Sequence, residues 1–135
     1  PLAIAKEGIP LSFDVAFSRS RLVAFRDQAA QWLQREHPLL QLYDFGHFAD
    51  GGCHLIVLVP HAHISQYGIA KVVAVRSGIY KLVTENGGCF SAEHGVGPVN
   101  AAYYSKYTPP EVQKISRAMQ YLMDPQAVLG RYRYT

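Results

Sequence analysis

Two hydrophobic periods follow one another in the first part of the chain. Apolar side chains occupy alternate positions in residues 11–17, at Phe13, Val15 and Phe17, which predicts a β-strand. Beyond that strand they recur at helical spacing, at Leu22, Phe25, Ala29, Trp32 and Leu33. Ser18 or Ser20 can cap this second segment, and Pro38 ends it. We therefore predict a strand followed by an amphipathic helix.

A β-hairpin is predicted next. Residues 39–48 and 53–59 have the composition of strands, and Asp50-Gly51-Gly52 between them is a tight-turn sequence. If Asp50 and Gly51 are the two loop residues, residue 47 pairs with residue 54.

A second helix and a short strand follow a polar loop that begins at Pro60. The helix ends at Asn86-Gly87-Gly88, and its predicted inner face consists of Ile69, Val72, Val73, Ile79, Tyr80 and Val83. Its valine-rich part is also compatible with a strand. Residues 89–92 predict a short strand that leads into Glu93-His94-Gly95-Val96-Gly97.

The last predicted element is a helix. It follows a capping box, Thr108-Pro109-Pro110-Glu111, and its core stripe is Val112, Ile115, Met119 and Leu122. The order β-α-β-β-α-β followed by a helix is that of the ferredoxin-like fold. We predict the α+β class, with a split β-α-β antiparallel sheet, helices on one face and a C-terminal helix, in one domain spanning residues 1–135.

Composition narrows the classes of partner. The chain has 135 residues, of which 49% are apolar and 17% charged, so one domain can bury a core without a disulfide. Its net charge of +3 comes from scattered basic residues, and nucleic acid is not an expected partner. The longest apolar run, residues 55–59, is far too short to span a bilayer, so no transmembrane segment is expected.

The two cysteines indicate a reducing compartment. Cys53 and Cys89 fit no metal-binding spacing and are expected to be free thiols, with a bridge between them as the alternative. We therefore expect a cytoplasmic protein, with peripheral attachment to a membrane as a further option. The sequence begins at Pro1 without an initiator methionine, and we expect it to be part of a longer protein or a processed one.

Two histidines flank the predicted turn. In the predicted register His47 and His54 lie opposite one another, with Cβ atoms roughly 5 Å apart, so both rings can reach one metal ion. A cross-strand pair of half-exposed histidines that binds nothing is the alternative, and the pair taken alone favours it.

Glu93 and His94 add a carboxylate and a third imidazole at the end of a predicted strand. Successive side chains of an extended chain point to opposite faces, so the two can reach different parts of one cleft. Two histidines and a carboxylate can hold zinc or another divalent cation and leave a position open for substrate, and the other histidine is then free to act as a base. A surface Glu-His pair at a glycine turn is the alternative.

The other histidines and the two C-terminal arginines are weaker candidates for a functional site. His61 and His63 lie in a polar loop, His37 lies at the end of a helix, and we assign none of them a function. Arg131 and Arg133 either contact a phosphate-bearing cofactor or form a frayed basic end, and charge alone favours the second.

Two segments resemble the motifs of one enzyme family. Residues 45–54, Phe-Gly-His-Phe-Ala-Asp-Gly-Gly-Cys-His, resemble Gly-His-x-Gly-Asp-Gly-Asn-x-His. Residues 87–97, Gly-Gly-Cys-Phe-Ser-Ala-Glu-His-Gly-Val-Gly, resemble Gly-Gly-x-x-Ser-x-Glu-His-Gly-x-Gly. Both motifs are those of the FAD-linked oxidase C-terminal domain, found in D-lactate dehydrogenase, the glycolate oxidase flavin subunit and D-2-hydroxyglutarate dehydrogenase. Phe13-Asp14-Val15 and residues 123–129 also resemble that domain.

The resemblance implies part of an FAD-dependent oxidoreductase that oxidises a small D-2-hydroxy acid. By this resemblance His47, His54 and Glu93 hold a divalent metal (zinc, manganese or iron). His94 removes the hydroxyl proton while hydride passes to the flavin. Arg131 and Arg133 stand where the family has its contact with the flavin.

The same resemblance implies partners. FAD is bound mainly by a separate N-terminal domain of the same protein, so the isolated chain is expected to be inactive and to expose the surface that faces that domain. A homodimer formed through this surface is a further expectation. An electron acceptor is a further expected partner of the enzyme.

Three departures from the family pattern keep other functions open. Ala49-Asp50-Gly51-Gly52 replaces Gly-Asp-Gly-Asn, so an asparagine amide is lost at Gly52. Residues 130–133, Gly-Arg-Tyr-Arg, replace the family ending Asn-Pro-Gly-Lys, at the place of the flavin contact. Ser12 and Ile56 stand where some members specific for dicarboxylates have lysine and asparagine. One alternative is therefore a noncatalytic ferredoxin-like module that binds a metal or a partner chain. Another is a paralogue that has kept the metal site and lost turnover.

Overall fold

The computed structural model describes residues 3–129. Its strands are β1 (Gly8–Ala16), β2 (Gln41–Phe45), β3 (Gly52–Pro60) and β4 (Cys89–Phe90). Its α-helices are α1 (Arg19–Glu36), α2 (Ile69–Glu85), α3 (Gly97–Tyr107) and α4 (Pro110–Met123), and short 3₁₀-helices occupy Ile4–Lys6 and His61–Gln66. The chain forms two compact units, of which one ends at His94 and the other begins at Gly95. None of the helices within residues 3–129 is long and apolar enough to cross a membrane.

The first unit contains a four-stranded sheet in the order β2-β3-β1-β4. Each neighbouring pair is antiparallel, so β1 and β2 run in the same direction with β3 between them, and β3 and β4 run in the same direction with β1 between them. Each β-α-β unit is thus split by a strand of the other unit. The predicted α+β class, the split antiparallel sheet and the C-terminal helix are confirmed.

One face of the sheet forms the core with α1 and α2. Phe13 lies opposite Leu55 in the register of β1 and β3, and both side chains are buried. The ring of Tyr80 on α2 meets the edge of Phe13, with the ring centroids 5.4 Å apart. Phe25 on α1 stacks on Phe17 at 4.3 Å. Both helices therefore pack on the same face, as predicted.

The opposite face of the sheet carries polar groups. Since strand residues alternate between faces, Asp14 and His54 point away from the core that Phe13 and Leu55 line. The register places Asp14 of β1 opposite His54 of β3, and Phe45 of β2 on the other side of His54. A row of three side chains, Asp14, His54 and Phe45, therefore crosses the sheet.

The hairpin differs from the predicted one. His54 pairs with Phe45, so the predicted pairing of residues 47 and 54 is wrong. Gly46 has φ +119°, a left-handed value that ends the strand, and residues 46–51 form a wider turn. Within it the carbonyl of His47 accepts the N–H groups of Asp50 (3.1 Å) and Gly52 (3.0 Å). His47 therefore lies in the turn and not on the strand.

Helix α2 ends close to where predicted, but part of its predicted inner face is wrong. Val75, Ile79, Tyr80 and Val83 are buried. Ile69 is 85% exposed because it lies at the first turn, and Val73 is half exposed. The apolar pattern therefore predicts the helix but not the limits of its buried stripe.

The second unit consists of α3 and α4. No element is predicted from the sequence for residues 98–107. In the structure these residues form most of α3, which begins with Gly97-Pro98 and buries none of its side chains. The predicted capping box is wrong, because Pro109 is the N-cap of α4 and no side chain caps it. Gln113 instead donates to the carbonyls of Ser105 (3.2 Å) and Thr108 (2.8 Å). The predicted core stripe of α4 is exposed, from 47% at Val112 to 80% at Leu122.

Candidate functional site

The polar face of the sheet is completed by two segments from outside the strand pairs. The turn that follows β2 carries His47, and the segment that follows β4 carries Glu93 and His94. Because β4 pairs antiparallel with β1, with Phe90 opposite Val15, the chain after β4 runs back alongside β1 toward Asp14. Arg26 on α1 forms a two-pronged ion pair with Asp44 at 2.8 and 2.9 Å and lies over the ring of Phe48, which ties the turn after β2 to the helix.

His47, His54 and Glu93 form a cluster. Nε2 of His47 lies 3.5 Å from Oε1 of Glu93, and Nε2 of His54 lies 3.7 Å from Oε2 of the same carboxylate. One ligand atom from each of the three residues lies within 4.8 Å of the others. The structure therefore brings together the three residues that the sequence analysis considered as metal ligands.

The cluster is open on one side. The side chain of His54 is 19% exposed, whereas those of His47 and Glu93 are 55% and 48% exposed. The inner imidazole is held by its neighbours, since its ring contacts those of Phe45 at 5.4 Å and His47 at 5.8 Å. Such an arrangement offers two nitrogen ligands and one oxygen ligand while leaving room for a further molecule.

His94 lies beside this cluster but is not part of it. Its ring is parallel to that of His54, with an interplanar angle of 3° and the ring centroids 5.3 Å apart. Its side chain is 69% exposed, and its Nδ1 lies 3.8 Å from Oδ2 of Asp14. Since Nδ1 faces a carboxylate, Nε2 is the nitrogen available to a bound molecule.

Asp14 is a residue of the site to which the sequence analysis gives no role. Its carboxylate is 8% exposed, and Oδ2 accepts the backbone N–H groups of Glu93 at 2.6 Å and His94 at 3.0 Å. Its Oδ1 faces Nδ1 of His54 at 3.7 Å. The sequence does contain one indication of its importance: Asp14 is a charged residue inside an apolar strand, between Phe13 and Val15, and a buried charge requires partners.

The other histidines lie elsewhere. His61 makes a contact of 3.2 Å from Nε2 to the carbonyl of Lys6, and Nδ1 of His63 lies 3.4 Å from the amide of Gln66. His37 packs against the rings of Trp32 and Tyr67, and the loss of water around it lowers its pKa. None of them joins the cluster described above. Arg131 and Arg133 lie outside the described residues.

Comparison with known proteins agrees with the motifs. The family described as FAD linked oxidases, C-terminal domain, matches residues 1–134. D-2-hydroxyglutarate dehydrogenase of Stutzerimonas stutzeri is 26% identical over 121 residues, which are 90% of this chain and 26% of that protein. The mitochondrial D-2-hydroxyglutarate dehydrogenase of Bos taurus is 28% identical over 134 residues, which are 97% of this chain and 23% of that protein. The chain thus spans about a quarter of the length of these relatives. With its whole length matched and both motifs in place around one site, the chain belongs to the family of FAD-linked oxidase C-terminal domains.

Proposed function

We propose that the chain is the substrate-binding domain of an FAD-dependent dehydrogenase that oxidises small D-2-hydroxy acids, with His47, His54 and Glu93 as ligands of a divalent metal. The observation that carries the proposal is the cluster itself. Three residues from two turns and a strand place two imidazoles and one carboxylate within reach of a single ion. Membership of the family and the names of the relatives support the redox chemistry and the class of substrate.

The donor set fits a divalent metal. In a tetrahedral site with bonds near 2.1 Å, neighbouring ligand atoms are about 3.4 Å apart. Nε2 of His47 lies 3.5 Å from Oε1 of Glu93 and Nε2 of His54 lies 3.7 Å from Oε2, which is close to that value, and one ligand atom from each residue lies within 4.8 Å of the other two. Two histidines and a carboxylate suit zinc, manganese or iron, and three protein ligands leave a position for substrate.

A bound metal would polarise the hydroxyl and carboxylate oxygens of the substrate, and FAD held by another domain of the full protein would accept the α-hydrogen as hydride. This chain supplies the proton acceptor, which we assign to His94. The carboxylate of Asp14 next to Nδ1 of His94 favours a proton on Nδ1, which leaves the Nε2 lone pair free to take the hydroxyl proton. The product of this balanced removal of a proton and a hydride is a 2-oxo acid.

The substrate class is bounded by the relatives and by two positions on β1 and β3. The names of the relatives point to D-2-hydroxyglutarate, a dicarboxylate. Ser12 and Ile56, however, lie opposite one another in the strand register and offer no cation to a second carboxylate. We therefore propose a small D-2-hydroxy acid and leave its second functional group open.

The proposed partners of the chain are the substrate, the FAD-binding domain of the same protein and an electron acceptor still to be identified. A homodimer and a cytoplasmic location, with membrane attachment as the further option, stay predictions. Light scattering of the purified chain measures the first, and fractionation of cells tests the second.

The proposal is tested by titrating the chain with Zn²⁺ or Mn²⁺ in a calorimeter. We expect one equivalent to bind, and His54→Ala to weaken binding by at least about 100-fold, because a three-ligand site loses its inner ligand. His61→Ala is the matched control, since His61 lies outside the cluster and should leave binding unchanged. Absence of binding by the unsubstituted chain would refute the metal site.

A second arm tests the redox chemistry. The full-length protein, supplied with FAD and an artificial electron acceptor, should oxidise D-2-hydroxy acids and lose that activity when the metal is chelated. Metal binding without any turnover would instead favour the paralogue that has lost catalysis, a reading that Gly52 in place of the family asparagine keeps open.

A further inference from the structure

We infer that Asp14 is a positioning residue that holds the Glu93–His94 turn and fixes the orientation and tautomer of His54, an inference whose metal-binding part rests on the proposed function. The carboxylate of Asp14 is the group that joins one proposed ligand, one proposed base and the backbone of a second proposed ligand.

Asp14 hydrogen-bonds the backbone of the segment after β4. Asp14 accepts three hydrogen bonds from this segment. Its side-chain Oδ2 accepts the backbone N–H groups of Glu93 (2.6 Å) and His94 (3.0 Å), and its backbone carbonyl accepts the N–H group of Ser91 (2.6 Å). Ser91 has φ +56°, a left-handed value that costs energy for a residue with a side chain. Asp14 therefore contributes three hydrogen bonds that hold the segment in an irregular conformation.

Asp14 also faces the imidazole rings of His54 and His94. Oδ1 of Asp14 lies 3.7 Å from Nδ1 of His54, directly across the β1–β3 register, and Oδ2 lies 3.8 Å from Nδ1 of His94. These contacts are longer than a hydrogen bond, so the carboxylate acts on each ring through its charge, which favours N–H at the nitrogen that faces it. Oε2 of Glu93 lies equally close, at 3.7 Å, to Nε2 of His54, but the Glu93 side chain is 48% exposed against 8% for Asp14, so water screens its charge more strongly. Nε2 of His54, which faces Glu93, is then the nitrogen with a free lone pair for a metal.

The buried position of Asp14 makes its hydrogen bonds necessary. The Asp14 carboxylate is 8% exposed, and burying such a group is costly unless it is hydrogen-bonded. Its two charge-assisted backbone bonds offset that cost and fix where the carboxylate points. An asparagine at this position would keep one accepting oxygen but would replace the other by an N–H₂ donor. That donor would face backbone N–H groups or ring nitrogens that need an acceptor.

Asp14→Asn therefore tests the inference, with Asp124→Asn as the matched control. Asp124 is also a buried aspartate that accepts two backbone N–H groups, from Val128 at 2.9 Å and Leu129 at 3.2 Å, but it belongs to the other compact unit. We expect Asp14→Asn to weaken Zn²⁺ binding by about 10- to 100-fold. We expect Asp124→Asn to lower stability and to leave Zn²⁺ affinity unchanged.

Two readouts on the metal-free protein separate this inference from the proposed function. In the unsubstituted chain, ¹⁵N NMR of the rings should show His54 protonated at Nδ1, and the amides of Glu93 and His94 should exchange slowly with solvent. Asp14→Asn should mix the tautomers of His54 and speed exchange of both amides, whereas Asp124→Asn should change neither. These results support the role of Asp14 even if the chain binds no metal, an outcome that would defeat only the metal site.

The inference is overturned if the unsubstituted chain shows His54 protonated at Nε2, or fast exchange at the amides of Glu93 and His94. It is also overturned if a folded Asp14→Asn protein keeps the tautomer and the amide protection. The measurements on the unsubstituted chain decide the question even where the variant does not fold.

Discussion

Nε2 of His47 lies 3.5 Å from Oε1 of Glu93, although the two residues follow strands at opposite edges of the sheet. The turn after β2 and the segment after β4 both extend over the central strands and meet above His54 on β3. A ligand that binds all three side chains therefore links two irregular segments to the middle of the sheet.

This link predicts that a divalent metal stabilises the fold. A ligand that binds only the folded state adds RT ln(1 + [L]/Kd), or about 2.7 kcal/mol at a concentration 100 times Kd. We expect Zn²⁺ or Mn²⁺ to raise the melting temperature by several degrees and to slow amide exchange in residues 46–51, as followed by calorimetry and by hydrogen exchange.

The matched comparison uses a histidine outside the cluster. His63→Gln should keep the metal-dependent rise, because His63 lies in the 3₁₀-helix His61–Gln66. His47→Gln should lose most of it. An equal rise in both variants would show that the metal binds elsewhere.

The strands and the first two helices could be predicted from the sequence because their hydrophobic periods are regular. The apolar run of β3 predicts a strand that starts and ends within one residue of the observed Gly52–Pro60. Helix α3 could not be predicted in this way, since its apolar and polar residues are not segregated on separate faces. The stripe of α4 predicts a helix but not its exposure, which depends on what packs against it.

The candidate site was only partly predictable. The predicted direct pairing of His47 with His54 is wrong, because β2 ends at Phe45, three residues before its predicted end, and Phe45 lies opposite His54 in place of His47. A shift of two residues preserves the face on which a strand residue lies, and the turn brings the ring of His47 within 5.8 Å of that of His54. The role proposed for Asp14 could not be predicted, since its partners are distant in sequence and meet it through the β1–β3 and β1–β4 pairings.

The two cysteines should differ in reactivity. Cys53 is buried, and desolvation, with a smaller contribution from the charge of Asp44, raises its pKa to about 11, whereas Cys89 is exposed. At pH 8 only about one Cys53 thiol in a thousand would be ionised. Iodoacetamide should therefore modify Cys89 alone in the folded chain, as read by mass spectrometry. Cys89→Ser should abolish native labelling, and rapid labelling of Cys53 in that variant would contradict its burial.

The lowered pKa of His37 leads us to expect that the protein loses stability in acid. Burial against Trp32 and Tyr67 lowers its pKa, so below about pH 6.5 the unfolded chain binds a proton more readily than the folded chain. This contribution to the free energy of unfolding is complete above that pH and is lost as the pH falls through the folded pKa. Urea titrations at pH 7 and pH 5 should show a smaller drop for His37→Gln than for the unsubstituted chain. An equal drop would mean that His37 does not contribute.

The adjacent residues Glu93 and His94 should separate metal binding from proton transfer. The carboxylate of Glu93 lies within reach of both His47 and His54, while His94 stacks on His54 from outside the cluster. In the full-length protein, Glu93→Gln should release the metal, because a neutral amide is a far weaker ligand than a carboxylate. His94→Gln should keep the metal content and lower turnover by about 10²- to 10⁴-fold, the usual contribution of a general base. Metal analysis and steady-state kinetics on both variants measure this division. If His94→Gln loses the metal and Glu93→Gln retains it, the two roles are reversed; if neither variant changes metal content or rate, the cluster is not the active site.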